Sequence, residues 1–394
     1  MVSTVVSVGV YLDHAATTPM LPEAIDAYAR AMSEVGNPSS IHSAGQHARR
    51  LLEEARETVA ASLGCDPIEV VFTSGGTEAI NLALKGGFWA ADPSRHRLVV
   101  PEGEHHATID TVEWLVAHEG AQASWVPLDE RGFIKTDAWA AALHGADVAV
   151  ATALWVNNEV GTIEPVAELA AAAASAAVPL HVDAVAAYGH VPISFRALGA
   201  AAMSVSAHKI GGPVGIGALV LSRSAHVVPI VHGGGQQRNV RSGTQDVAAA
   251  VSFAVAAQAA VASLESERAR LSALRDRLIA GVRAAVPEAR LSGPEGETRV
   301  ASNAHFTFPG AQGDSLLFLL DAAGVAVSTG SACQAGIPEP SHVVLAMGRA
   351  AGEASSCLRI TLGRTTTQAD VVAFLAALPD AYARAAKAGL TAPA

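Results

Sequence analysis

The chain has 394 residues, half of them apolar, and its formal net charge at pH 7 is −11. This length allows two domains, one large and one small, and the apolar half supplies a sizeable core. With 26 Lys and Arg residues against 37 Asp and Glu residues, the composition argues against nucleic acid as a direct partner. An acidic surface suits simple solubility, which we favour, or a basic protein partner.

Cysteine usage and the chain start predict the compartment. Three cysteines, Cys65, Cys333 and Cys357, do not make a disulfide framework, so we expect a reducing cytoplasm. Residues 1–10 are mildly apolar but lack the positive start and the cleavage site of a secretory signal. The Ala-rich stretch 167–178 is too short to span a bilayer, so no membrane association is expected.

The predicted elements begin with a short strand at Tyr11, which runs into a turn and is followed by helices at 22–33 and 42–63. Short β-branched runs then predict strands at 69–73, 97–100, 123–127, 147–153, 180–182, 203–206 and 218–221. Helical patterns lie between most of them, at 77–90, 106–118, 136–143 and 166–177. This alternation predicts an α/β fold with a mostly parallel seven-stranded sheet, whose ligands bind at the carboxyl ends of the strands.

The last third of the chain has a different pattern. One long helix is predicted over 246–286 as a connector, and a smaller α+β unit follows, with strands near 303–308, 325–328 and 357–362. We predict a large domain at 15–260 and a small domain formed by 1–14 and 261–394.

Lys209 is the strongest candidate for chemistry. It stands just past an apolar strand, between a histidine and a glycine-rich turn. A partly desolvated lysine there suits an amine that forms a Schiff base, and an exposed loop lysine is the alternative. Asp183 ends a neighbouring short strand. Pyridoxal phosphate needs a lysine for its aldehyde and a carboxylate for its ring nitrogen, and these two residues would frame such a ring.

Two segments suit anions. The run 73–78, Thr-Ser-Gly-Gly-Thr-Glu, joins a strand to a helix, where glycines and free N–H groups favour a phosphate; an ordinary capped helix is the alternative. After the glycines at 233–235, the segment 238–244 carries Arg, Ser and Thr close together, which also favours phosphate.

Polar residues follow two further strands. A histidine at His105 or His106 could lie over a flat ring and move protons, whereas side chains of adjacent residues diverge, so a shared metal is not expected. Asn157 and Asn158 suit hydrogen bonding to a small polar ligand, and a turn with Asn caps is the alternative.

Cys333 lies among small residues and turn formers, in Ser-Thr-Gly-Ser-Ala-Cys-Gln-Ala-Gly-Ile-Pro, which predicts an exposed loop and a nucleophilic thiol. Cys357, among apolar residues, is closer to the buried structural type. Arg359 stands inside an apolar strand and therefore needs an anion partner, which a substrate carboxylate held bidentately would supply.

In this order, from Tyr11 to about Arg364, the motifs together resemble the cysteine desulfurases, a group within the class V aminotransferases. The resemblance implies a fold-type I pyridoxal-phosphate-dependent transferase, with the large domain carrying the sheet and a smaller α+β domain. The Gly-Ser-Ala-Cys run ending at Cys333, with the long loop after it, is similar to the subgroup that supplies iron–sulfur cluster assembly and tRNA thiolation.

The resemblance also implies residue roles around pyridoxal 5'-phosphate. Lys209 holds the cofactor covalently, Asp183 pairs with the ring nitrogen, and His105, rather than a surface His106, stacks on the ring and takes part in proton transfer. Thr244 reaches across from the second subunit of a homodimer to the phosphate. The remaining phosphate ligands are Gly76, Thr77, Ser206 and His208.

For the substrate, the resemblance implies that Asn158 and Arg359 hold the carboxylate of L-cysteine and that Cys333 attacks its sulfur. Alanine leaves, and the Cys333 persulfide passes its sulfur to an acceptor protein, such as a cluster scaffold or a tRNA-thiolation enzyme. Cys333 could also ligate an iron–sulfur cluster transiently; no resident metal is implied.

One position departs from this family. The family usually has a glutamine three residues after the ring aspartate, bonded to the phenolic oxygen of the cofactor, and Ala186 stands there in this chain. Two alternatives therefore stay open: a selenocysteine lyase or another class V lyase, and a cofactor-binding scaffold that has lost catalysis.

Overall fold

The computed structural model describes residues 9–330 and 339–389. The first part of the chain alternates between strands and helices, as predicted. Its elements are β1 (Val10–Tyr11), α1 (Pro22–Met32), α2 (Ser43–Leu63), β2 (Val70–Thr73), α3 (Gly76–Ala90), β3 (Arg97–Pro101), α4 (His106–Glu119), β4 (Gln122–Val126), α5 (Thr136–Ala142), β5 (Val148–Leu154), α6 (Val166–Ser175), β6 (Leu180–Asp183), α7 (Phe195–Leu198), β7 (Ala202–Ser206) and β8 (Gly217–Leu221).

The second part is richer in helix. Its elements are α8 (Val247–Ala262), α9 (Leu264–Ala285), β9 (Arg290–Ser292), β10 (Asn303–Thr307), α10 (Gly313–Ala322), β11 (Val325–Ala326), α11 (His342–Ala346), α12 (Ala351–Ala354), β12 (Cys357–Thr361) and α13 (Gln368–Gly389).

The large sheet has seven strands in the order β2-β8-β7-β6-β5-β3-β4. Strand β8 is antiparallel to both of its neighbours, and the other pairs are parallel. Strands β5, β6 and β7 are buried at every position, which explains their continuous apolar runs. The predicted α/β fold is therefore confirmed, and strands β2, β3, β5, β6 and β7 all end at one edge of the sheet.

The rest of the chain forms a three-stranded antiparallel sheet, β12-β10-β9, and a parallel pair, β1-β11. These strands share an apolar cluster with α9, α10 and α13, in which Phe306 and Phe374 are fully buried. Leu12 joins the same cluster, whereas Val343 and Val344 of α11 pack with the core of the large sheet. The division into 15–260 and 1–14 plus 261–394 stays a prediction.

The single helix predicted over 246–286 was wrong, because the chain bends by 68° between α8 and α9. At the break, the Ser263 hydroxyl donates to the Ala259 carbonyl at 2.8 Å, a contact that competes with helix hydrogen bonding and bends helices. Within the described part of the chain, no single helix is long and apolar enough to cross a membrane. The bent α8–α9 pair, taken together, has the length and the composition that a membrane-spanning segment needs.

Candidate active site

The carboxyl ends of β5, β6 and β7 and the start of α3 surround a cavity of about 540 Å³. Most of the predicted site residues line it, although they come from distant parts of the sequence. Those lining it are Gly76, Thr77, His105, Asn158, Asp183, Ser206, His208, Lys209 and Arg359. Thr244 is exposed and does not line this cavity, and Cys333 lies outside the described residues.

Lys209 is partly buried on a 3-10 turn, Ala207–Lys209, directly after β7. Its Nζ donates to the carbonyl oxygens of Ala15 and Ala16, the second at 2.9 Å. Burial, helped by the positive charge of Arg359, lowers the pKa of this amine to about 8. The alternative of an exposed loop lysine is therefore wrong, and the neutral amine is accessible near pH 7.

Asp183 is the last residue of β6 and is buried. One carboxylate oxygen accepts the Val185 N–H at 2.9 Å. Burial raises the pKa of the Asp183 carboxyl to about 6, although the Val185 contact and the charge of Lys209 both favour ionisation. A cation placed against this carboxylate, such as a protonated ring nitrogen, would stabilise its charged form.

The start of α3 has the geometry of an anion site. Gly75 has a φ of 155°, which favours glycine, and Gly76 opens the helix. A Cβ at Gly76 would lie 2.7 Å from a Val185 methyl carbon, so the backbone approaches its neighbours closely there. Buried Ser206 faces the same cavity, and the free N–H groups of the first turn are available to a phosphate.

An anion site over 238–244 stays a prediction. Within the chain, Arg241 pairs with Glu78 of α3, with Nε 2.8 Å from Oε1. Glu78 also accepts the Ser74 N–H at 2.7 Å, which ties this ion pair to the turn at 73–78. The sequence could not show this pairing because it joins residues far apart in the chain. The reach of Thr244 into a second subunit stays a prediction.

His105 caps the start of α4, where its Nδ1 accepts the Ala107 N–H at 3.0 Å. Its ring is open to the cavity, yet the surrounding protein and the charge of Lys209 lower its pKa to about 4, so the ring is neutral near pH 7. His106 is only half exposed, and its ring packs edge-on against His342 at 4.9 Å between centroids. His106 is thus a partly exposed residue, and its placement at the surface is not contradicted.

Arg359 is buried in β12 and lines the cavity. The sequence predicted a substrate carboxylate as the anion partner of Arg359. The structure adds a partner within the protein, Asp13, whose Oδ1 accepts from Nη2 at 3.0 Å. Nη1 donates to the carbonyl oxygen of Asn158 at 2.9 Å. Asn157 is a turn-holding residue, because its Oδ1 accepts the N–H groups of Glu159 and Val160. Both Asn157 and Asn158 line the cavity, and the ligand-binding role of Asn158 stays a prediction.

Glu104 is a second residue that the sequence analysis missed, although a carboxylate before His105 at a strand end was a visible signal. It is fully buried, and its Oε1 accepts the Leu154 N–H at 2.7 Å. Burial, with the nearby charge of Asp183, raises the pKa of Glu104 to about 8. The Thr108 hydroxyl lies close by without hydrogen-bonding geometry, and Oε2 has no partner among the residues that the structure describes.

The other two thiols are poor nucleophiles. Burial raises the pKa of Cys65 to about 12 and raises that of Cys357 further. Both are buried, which confirms the structural role expected for Cys357. No group of three possible metal ligands occurs in residues 9–330 and 339–389.

The donor set suits a flat phosphorylated aldehyde. An amine of lowered pKa, a buried carboxylate and a helix start with free N–H groups face one cavity. Ala186 lines the same cavity three residues past Asp183, with no hydrogen-bonding side chain to offer.

Comparisons with known proteins find similar chains. A relative described as an IscS-like cysteine desulfurase, from Mycobacterium tuberculosis, is 53% identical over 386 residues, covering 97% of this chain and 98% of the relative. The cysteine desulfurase NifS of Azotobacter vinelandii is 36% identical over 377 residues, covering 95% and 93%.

Solved structures are similar as well. A NifS-like protein superimposes with a TM-score of 0.89 at 32% identity, covering 95% of this chain and 100% of that one. A NifS-like protein from Rickettsia africae gives 0.86 at 28% identity, covering 95% and 99%. These likenesses confirm the fold-type I prediction. The sequence profile described as Aminotransferase class-V matches residues 10–374, and the chain belongs to that family.

Proposed function

We propose that this protein is a pyridoxal-phosphate-dependent cysteine desulfurase, which converts L-cysteine to L-alanine and transfers the sulfur as a persulfide on Cys333. The observation that carries the proposal is that Lys209, Asp183 and Arg359 meet in one cavity at the carboxyl ends of the strands. Relatives named cysteine desulfurase over nearly the whole chain support the same reaction.

The cofactor's place follows from the donor set. Lys209 would hold it covalently, Asp183 would face its ring nitrogen, and His105 would lie on its ring. The phosphate would take the N–H groups of Gly76 and Thr77 and the side chains of Ser206 and His208, with Thr244 supplied by the second subunit of a homodimer. Once bound, pyridoxal phosphate supplies an electron sink for the substrate's α-carbon.

The protein's own groups then move the protons. Because burial lowers the pKa of Lys209 to about 8, its amine can accept the α-proton and return it near neutral pH. The lowered pKa of His105 keeps that ring neutral near pH 7. Asp183, held by the Val185 N–H, keeps its charge opposite the ring.

Sulfur transfer needs a substrate whose carboxylate is fixed and whose thiol is accessible. Arg359 and Asn158 would hold the carboxylate of L-cysteine, which leaves the thiol side free. The Cys333 thiolate attacks the substrate sulfur, forming a sulfur–sulfur bond as the carbon–sulfur bond breaks. The electron pair of that bond passes to the substrate carbon, and protonation there yields alanine. Burial of Cys65 and Cys357 leaves Cys333 as the nucleophile.

The persulfide is expected to pass to an acceptor protein in the cytoplasm, such as a cluster scaffold or a tRNA-thiolation enzyme. An acceptor cluster could be ligated transiently by Cys333. Direct contact with nucleic acid or a membrane is not expected for this role.

One feature favours a second candidate. Ala186 lines the cavity where the family resemblance expects a glutamine, and the loss of that donor suits a cofactor-binding scaffold without catalysis. A selenocysteine lyase, or another class V lyase, shares the lysine but does not need the Cys333 thiol.

The test measures alanine and sulfide released from L-cysteine in the presence of a reductant. We expect equimolar products from the parent and a loss of at least about 100-fold in Cys333→Ala, because the attacking group is gone. Cys65→Ala, which removes a thiol away from the cavity, should retain activity.

Other outcomes point elsewhere. Release of selenide from selenocysteine that survives in Cys333→Ala would support the lyase. A parent that binds the cofactor but forms no product would refute the desulfurase and support the scaffold.

A further inference from the structure

Asp13 is the partly buried counter-ion of Arg359, the residue proposed to face the substrate's carboxylate. Arg359 lines the cavity and Asp13 does not, so the aspartate holds the guanidinium from behind. Their side chains are 6% and 20% exposed, and Nη2 and Oδ1 are 3.0 Å apart. An ion pair this little exposed is worth more than a surface pair.

Backbone pairing between the segment around Asp13 and strand β12 places Asp13 at this position. Residue 13 bridges Thr361 in parallel register, two residues beyond Arg359 on β12. The Thr361 N–H donates to the Leu12 carbonyl at 2.7 Å, and the Ala15 N–H donates to the Thr361 hydroxyl at 2.9 Å. Because residues two apart on a strand share a face, this register sets the Asp13 carboxylate beside the guanidinium.

The turn after Asp13 is fixed as well. The Tyr11 hydroxyl donates to the carbonyls of Asp13 at 3.1 Å and Thr17 at 2.8 Å. The same turn supplies the two carbonyls that hold Lys209. One short segment therefore sets both positive groups of the site.

The guanidinium has little remaining freedom. Nη2 is held by Asp13, and Nη1 by the Asn158 carbonyl at 2.9 Å. Nε is buried and has no partner among the residues that the structure describes. The backbone of Arg359 also pairs with Ser328 in both directions. Only the remaining hydrogens on the two terminal nitrogens can serve a ligand in the cavity.

We propose that Asp13 is a positioning residue for amino-acid recognition: it orients Arg359 so that the free N–H groups of the guanidinium meet the substrate's α-carboxylate. This inference rests on the proposed function. Fork-shaped recognition of a carboxylate needs a fixed guanidinium plane, and a flexible arginine would lose that geometry. Asp13 thereby sets the preference for ligands with a carboxylate over plain amines.

The experiment compares two amines that differ only in the carboxylate. The holoenzyme is titrated with L-alanine and with ethylamine, and binding is followed by cofactor absorbance. In Asp13→Ala, we expect L-alanine to bind at least about tenfold more weakly, while the affinity for ethylamine changes by less than about twofold. Asp13→Asn keeps an oxygen acceptor without the charge, so its effect should fall between.

Kinetics give the second readout. The KM for L-cysteine should rise in Asp13→Ala with kcat within about threefold of the parent, since carboxylate binding rather than the chemical step is weakened. Asp380→Asn is the matched control, because it removes a carboxylate from an arginine on the exposed face of α13, where the side chains are 63% and 78% exposed. This control should change the affinity for neither L-alanine nor ethylamine. Should Asp13→Ala not fold, Asp13→Asn carries the test, with at least about a threefold difference between the two amines expected.

If Asp13→Ala weakens the binding of both amines equally, the assignment is overturned, because Asp13 would then have a general structural role. Unchanged L-alanine binding would overturn it as well, while leaving the proposed function intact. A parent that neither binds L-alanine nor turns over L-cysteine would overturn the proposed function first and this assignment with it.

Discussion

Replacing Glu104 with glutamine should remove a large pH-dependent term from the stability of this protein. The side chain is fully buried, and its pKa is raised from 4.5 to about 8, chiefly by burial. Glutamine has the same shape, and its amide oxygen can still accept the Leu154 N–H, now 2.7 Å from Oε1. The substitution therefore removes the titration while keeping the contact.

The sign follows from proton binding. Because the folded-state pKa of Glu104 exceeds the unfolded value, its contribution to stability is fully present below about pH 4.5. Above that, the unfolded state releases the proton first, so the contribution is lost as pH rises through about 8. Each pKa unit corresponds to about 1.4 kcal/mol, so the shift sets a ceiling of about 5 kcal/mol.

The assay is urea unfolding of the parent and Glu104→Gln from pH 4.5 to 8.5. The free energy of unfolding of the variant should rise relative to the parent across this range, by about 3 to 5 kcal/mol in total. Glu57→Gln, on the exposed face of α2, is the matched control and should show no such trend. A difference that stays flat with pH would mean that Glu104 is ionised in the folded protein, and the reasoning from burial would be refuted.

Two further perturbations test the phosphate turn. Gly76→Ala should weaken cofactor binding by about tenfold in equilibrium dialysis, because the new Cβ would lie 2.7 Å from a Val185 methyl carbon. Adding Val185→Ala should restore most of the lost affinity. If it restores none, the steric explanation is contradicted. Glu78→Gln should cost about 1 to 2 kcal/mol in urea unfolding, and the double variant with Arg241→Gln should cost less than the sum; additive losses would show that the pair is not coupled.

The sheet and most site positions could be predicted because the signals are local. Buried parallel strands give continuous apolar runs, and glycines or hydroxyls at their ends mark ligand turns. Lys209 and Asp183 stand at such ends, so residue type and position sufficed. The break at Ser263 was missed because an alanine-rich helix and a charged helix have the same period, so no change of pattern marks the end of the first helix.

Pairing partners were harder to predict, since each joins distant parts of the chain. Arg359 clearly needed an anion, but the sequence alone suggested a substrate, whereas Asp13 is brought to it by the register between residues 13 and 361. Arg241 likewise stands in a segment for which a phosphate was predicted, and its partner within the chain, Glu78, is 163 residues away. A charged residue in an apolar run reports that a partner exists, not where that partner lies in the sequence.

The two buried acids of the site illustrate how position decides protonation. Glu104 and Asp183 are neighbours, and burial raises the pKa of both, to about 8 and about 6. The positive charge of Lys209 favours the ionised form of Asp183, whereas the charge of Asp183 opposes that of Glu104. Near pH 7, the proton therefore resides on Glu104 and the charge on Asp183. If Glu104 were ionised instead, its repulsion would push Asp183 towards its neutral form, and the charge that we propose for pairing with a cofactor ring would be lost. Asp183 therefore stays charged because Glu104 is neutral. Glutamine at position 104 is neutral as well, so Glu104→Gln should preserve cofactor binding although it alters the pH dependence of stability.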